Sequence, residues 1–461
     1  MRKISGLLTI LALTLAVAGV ANAASTKKLT ITRKIQLKSV RGTNPAGKIR
    51  TIKVGNETNA KLIPFKAQNH LTSAMNSLLI KQKAGATFKN GTIDTVPYFN
   101  SWFITGSRNS IYTYSMVGHN PKSGGTTGLN NRILPLEVIL TDANGNPLYD
   151  FNPLVATDPE GNDADLLAQS PLYDATTTYP GPPADTGQII DTAQRVEFRS
   201  VRAANWHTVM NPPQATNAYS VKLDPTAWVY LVDSSNNIVG VAIDINVASA
   251  IYEELLQVEF SLSGLPNNTI PIIETDFVTA YDPSSGDCCV LGFHTAETGI
   301  ANPNGILTWT WGTYIPHGED NGFTNPFGAF GSDIMVLSHE LSELFNDPFV
   351  NTNVSPWVDG SVSFAQGNLE TGDVIEGMSV ADVIYSVPLT TAGGPYIYNL
   401  QNVATLEWFT RNPFNGGIYS WPNEGSLSHN PHPVGCQDPL QLGVCWSYGE
   451  GSGGFFFGPP Y

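Results

Sequence analysis

The run Ser338-His339-Glu340-Leu341-Ser342-Glu343 holds three residues whose types and spacing suit them to bind and use a metal ion. On a helix, His339 and Glu343 stand one turn apart and project from one face, with Glu340 about a hundred degrees round the axis beside them. Residues one turn apart can hold a divalent cation while the Glu between them serves as general base for metal-activated water. The pattern reads H-E-x-x-E, and a carboxylate is a competent zinc ligand where H-E-x-x-H sequences carry a second imidazole. A catalytic zinc needs a third protein ligand from elsewhere in the chain. Glu370, in Asn368-Leu369-Glu370-Thr371-Gly372-Asp373, is the first choice. Asp373 is then an orienter of His339 or an alternative ligand. Asp347 is excluded, because two helical turns carry it ~12 Å along the axis from His339.

The surrounding pattern predicts the element that positions these groups. Ser332 or Asp333 is a good N-cap, and Asn346-Asp347-Pro348 is a stop. Between them Ile334, Leu337, Leu341 and Phe345 form one apolar face, which leaves Met335, His339 and Glu343 on another. Upstream, Cys289 to His294 reads as a buried strand and Leu307 to Tyr314 as an aromatic-alternating one. His294 reads as a core histidine unless its strand lines a cleft, and His317 as a solvated loop residue. Asp158, Asp163 and Asp165 do not follow the spacing of a calcium loop and read as a solvated acidic loop.

His339-Glu340-x-x-Glu343 on a helix, preceded by an aromatic strand and followed by Glu370, resembles the zincin superfamily of metallopeptidases. The stretch from Ser338 to Pro348 is also similar to uncharacterised secreted bacterial proteins and, more distantly, to the plant Exordium (phosphate-induced) family. The resemblance covers roughly residues 285 to 425. It implies an α+β fold whose zincin-like C-terminal half is built round the motif helix, after a strand-rich N-terminal region. It also implies Zn²⁺ held by His339, Glu343 and Glu370, with Glu340 as general base acting on a peptide or protein substrate. Glu343 in place of His leaves less positive charge on the metal, so its water is less acidified. The alternative is a non-catalytic secreted or cell-surface binding protein that takes a glycan, on Trp309 and Trp311, or a partner protein.

Composition bounds the rest. Arg2 and Lys3, the apolar run Ile4 to Val20 and Ala21-Asn22-Ala23 match the parts of a secretory signal peptide over residues 1–23. Its removal takes two positive charges from a net charge of -15, giving -17, and no basic stripe offsets that acidity. Nucleic acid is thereby excluded as a partner, since phosphate binding needs clustered Lys and Arg. No later stretch has the ~20 apolar residues of a membrane span. The expected organisation is a β-rich region or pro-segment over 24–105 that includes a helix over Ala67–Lys83, a β-rich domain over 106–265, and the metal-site domain over 266–461. Among four cysteines, Cys436 and Cys445 bracket a loop that one disulfide can close. Cys288 and Cys289 can join each other, pair with the distal two, or stay reduced.

Overall fold

The computed structural model describes residues 28–45, 49–54, 94–104, 111–181, 184–286, 288–300, 305–358, 366–376, 378–411, 414–427, 432–434 and 445–447. The signal peptide expected over residues 1–23, the helix expected over Ala67–Lys83, and Cys436 lie outside these residues.

Its centre is an eight-stranded sheet. Six strands form its path: β1 (Ile31–Gln36), β2 (Gly125–Thr141), β3 (Thr216–Leu223), β4 (Thr269–Asp276), β5 (Gly292–Thr298) and β6 (Ile306–Tyr314), in the spatial order β1-β3-β2-β4-β6-β5. All neighbours are parallel except β5, which runs antiparallel to β6. Trp206–Met210 and Pro147–Phe151 also pair with β2. Every residue of β4 and β6 is buried, as parallel strands covered on both faces require. The sheet takes strands from both sides of residue 265, so it runs across the domain boundary expected there.

Three helices cover the sheet: α1 (Ile189–Glu197), α2 (Ile245–Ser263) and α3 (Met335–Asn346). The alternation of β6 decides which helix lies on which face. Trp309 and Trp311 point to the side of α2, where Tyr252 sits 5.2 Å from the Trp311 ring, and both indoles are buried. Thr308, Thr310 and Gly312 point the other way, beneath α3. On β5 the same alternation sends Phe293 toward Trp311 and His294 toward α3.

The helix can lie this low because Gly292 and Gly312 face one another across β5 and β6. A Cβ at Gly292 would stand 2.6 Å from Val336 Cγ1 and 2.9 Å from Glu340 Cγ, and one at Gly312 would stand 2.7 Å from Leu337 Cδ2. On its other side α3 meets the hairpin β7 (Ile384–Thr390) and β8 (Pro395–Gln401). Ile334, Leu337, Leu341, Leu344 and Phe345 join the core of the sheet's helix side, while Met335 and Val336 join the larger core. All twelve residues of α3 are buried.

The structure corrects the expected fold class. Among the described residues strands make up 43% against 19% helix, with seven helices, so the fold is mostly β. The motif helix exists, but the C-terminal half is not built of helices round it; strands and hairpins enclose a single three-turn segment. The helix also begins differently from expectation. Asp333 holds a left-handed backbone (φ 43°), and its carboxylate accepts from the Ile334 N–H and from the Asn399 N–H of β8. Asp347 ends the helix and accepts from the N–H groups of Asn351 and Thr352. Cys288 and Cys289 are disulfide-bonded to each other. No helix among the described residues is long and apolar enough to cross a membrane.

Two predictions follow from how α3 is held. Gly292→Ala is expected to lose about 1–3 kcal/mol of stability by overpacking, read as a lower urea midpoint; an unchanged midpoint would refute the close seating. Glu197, at the end of α1, accepts from Asn346 Nδ2 and the Leu406 N–H, and burial pushes its carboxyl up to about 8. The folded state therefore binds more protons than the unfolded state between the ordinary value of 4.5 and about 8, and stability falls as pH rises through that window. Glu197→Gln removes this slope, so its melting temperature gains on wild type from pH 5 to pH 8. Parallel curves would contradict this.

Candidate metal centre

Four elements converge on one buried cluster. His339, Glu340 and Glu343 come from α3, His294 from β5, Glu370 from the loop after β-strand Gln366–Asn368, and Asp373 and Glu376 from the short helix Asp373–Glu376. His294 is 1% exposed, and His339, Glu340, Glu343, Glu370 and Asp373 are also buried. Charged groups so far from water must satisfy one another or a cation.

Gln401, on β8, fixes the orientation of His339. Its Nε2 donates to the Gly372 carbonyl (2.8 Å), so its Oε1 accepts from His339 Nδ1 at 2.9 Å. The other ring nitrogen then faces Glu343 Oε2 at 3.2 Å and Asp373 Oδ1 at 3.5 Å, with Glu340 Oε1 at 4.0 Å. Bonds of 2.0–2.2 Å to one tetrahedral cation would separate its ligand atoms by roughly 3.3–3.6 Å. Gly372 lies flat against the imidazole, where a Cβ would come within 2.5 Å of Nδ1. Glu343 Oε1 meanwhile accepts from the N–H groups of Gly372 (2.9 Å) and Asp373 (3.3 Å), which ties this loop to the helix.

Sequence reasoning brought His339 and Glu343 together, and the structure places them side by side. Glu370, read as the third ligand, lies 3.8 Å from His294 Nε2 and takes a hydrogen bond from Asn368 on its other oxygen. Asp373, the alternative, is the carboxylate nearer His339 Nε2. His294 belongs to the cluster rather than to an inert core: its Nδ1 is 3.3 Å from Glu340 Oε2 and 3.5 Å from Glu343 Oε2. Glu376 and Gln401 were missed. Glu376 follows Asp373 by three residues, a helical spacing that could have found it, whereas nothing local marks Gln401.

The electrostatics follow from burial and crowding. Burial pushes the Glu340 carboxyl up to about 8. Burial first, and then Glu343, raise Glu370 well above the usual carboxylate range. Desolvation holds His294 below the usual histidine value. Burial also opposes a charge on His339, but Glu343 and Glu340 outweigh it and raise its pKa well above normal. Where a proton is held so firmly by carboxylates, a cation competes for the same position.

These buried His, Glu and Asp groups could hold a metal ion: His294, Glu340 and Glu343 form one set of donors, and His339, Asp373 and Glu376 another, each set within 4.8 Å. His294 Nε2 and Glu370 Oε2 make no hydrogen bond although both are buried. Comparison with protein families, curated proteins and solved structures found no match.

Two other sequence expectations change. His317 is not merely solvated; it pairs with Asp333 (2.8 Å) and stacks on Tyr396, bracing the start of α3. Asp158 and Asp163 are buried rather than part of a solvated loop.

If Gln401 fixes the tautomer of His339, Gln401→Leu lowers divalent-metal affinity about 10- to 100-fold. Competition against a chromophoric chelator measures it, and unchanged affinity would remove His339 Nε2 from the ligand set.

Proposed function

We propose that the protein is a metal-dependent hydrolase, and by the chemistry of its motif a zinc peptidase. The observation that carries this reading is the Gln401-fixed His339, whose Nε2 meets Glu343 and Asp373 at ligand-to-ligand distances. His339, Glu343 and Asp373 would hold the ion, with Glu370 orienting His294 from its Nε2 side. A bound Zn²⁺ would polarise a carbonyl and acidify a water.

The chain's own residues supply the proton handling. Glu340, with a carboxyl pushed up to about 8, suits the exchange of a proton near neutral pH. The buried surroundings keep competing water out and strengthen each interaction. The alternative of a glycan-binding protein using Trp309 and Trp311 gains nothing from those residues, because both are buried. Export from the cytoplasm is part of the same proposal and rests on the signal-like residues 1–23.

The test is hydrolysis of a peptide library by the metal-loaded full chain. Stripping with chelator is expected to abolish turnover and Zn²⁺ to restore it. Glu340→Gln is expected to cut kcat about 10²- to 10⁴-fold while the ion at His339 and Glu343 stays bound. Full turnover in either the stripped protein or the Glu340 variant would sink the hydrolase reading.

A further inference from the structure

We propose that this cluster holds two divalent cations rather than one, with Glu343 as the ligand common to both. The first ion takes His339, Asp373 and Glu343; the second takes His294, Glu340 and Glu343. The inference rests on the metal-dependent reading above and extends it to a second site.

Geometry is the first argument. The donor groups fall into two sets, one around each imidazole, and no residue belongs to both sets of three. Glu343 Oε2 nevertheless stands between them, 3.2 Å from His339 Nε2 and 3.5 Å from His294 Nδ1. A carboxylate approached by a nitrogen donor from either side is the arrangement that two-metal hydrolytic sites use, with ions about 3.5–4 Å apart.

Charge is the second argument. Glu340, Glu343, Glu370, Asp373 and Glu376 carry a formal -5 when ionised. With neutral imidazoles, one divalent ion leaves that cluster at -3 and two leave it at -1. Among the described residues the charged neighbours of Glu340 and Glu370 are His339 and other carboxylates, with no Lys or Arg beside them. Three negative charges left buried would be costly, so a site with one ion must keep protons on some of these carboxylates, where a second ion would take their place.

The third argument concerns His294 itself. Its Nδ1 faces Glu340 and Glu343, while its Nε2 faces the Glu370 oxygen that makes no hydrogen bond. A ligating histidine backed by a carboxylate on its other nitrogen is the usual outer shell of a metal site. Glu340 can serve both ions. Its Oε2 points to His294, and its Oε1, 4.0 Å from His339 Nε2, remains on the first ion's side for proton transfer.

Metal counting on the intact chain decides it. After loading with Mn²⁺ or Zn²⁺ and gel filtration, mass spectrometry of wild type is expected to give two ions per polypeptide. His294→Ala and Glu340→Gln are each expected to give one, and the Mn²⁺-loaded wild type a spin-coupled paramagnetic resonance spectrum that His294→Ala converts to an isolated signal. One ion in wild type, unchanged by His294→Ala, overturns the second site but leaves the single-ion hydrolase standing. No ion at all overturns both readings. Two ions that persist in His294→Ala, or that show no coupling in wild type, place the second ion elsewhere and overturn the shared site. Should His294→Ala fail to fold, the wild-type count and its coupling decide without it.

Discussion

Burial of α3 on every side is the constraint from which the rest of the site follows. A helix laid over the glycine pair of β5 and β6, and closed over by the hairpin β7–β8, leaves no face for water. Its ionisable side chains must then find partners in the protein. The apolar residues face one way into the sheet's core, and the remaining stripe collects every polar group that neighbouring elements can offer. His294 arrives from the sheet, Gln401 from the hairpin, and Asp373 and Glu376 from the loop that Glu343 ties down. The metal-binding capacity of the site is thus a consequence of how closely the backbone elements approach one another.

That closeness rests on small residues at defined places. Gly292 and Gly312 admit the helix to the sheet, and Gly372 admits the loop to the face of the imidazole. The bulky tryptophans of β6 all turn to the opposite side, where α2 covers them. One strand, reading Leu-Thr-Trp-Thr-Trp-Gly-Thr-Tyr, therefore builds a hydrophobic core on one face and clears ground for chemistry on the other.

Local periodicity accounts for what could be read in advance. The helix, its stop at Asp347, its apolar face and the aromatic strand β6 are all short-range patterns, and they stand in the structure much as the spacing predicts; the strand expected over Cys289–His294 is split at Leu291 between two sheets. Fold class is not local. A conspicuous helix drew the reading toward α+β, while the strands that make the protein mostly β assemble in part through pairings between residues more than a hundred positions apart, such as β1 with β3 and β2 with β4. The same distance hid the partners of the site. Whether His294 faces a core or a cluster depends on its register against β6, and Gln401 reaches His339 only because the hairpin folds over the helix.

The loop from Gly372 to Asp373 is anchored to Glu343 by two backbone N–H groups, independently of any ion. A site held in this way does not need an ion to gather its ligands, so uptake costs little ordering of the chain. Enclosure has the opposite effect on rate: an ion can enter or leave only when some covering element opens. Exchange of a cation held there would be governed by breathing of the protein rather than by the strength of the chelator outside, and an ion captured during folding would be retained for as long as α3 stays covered.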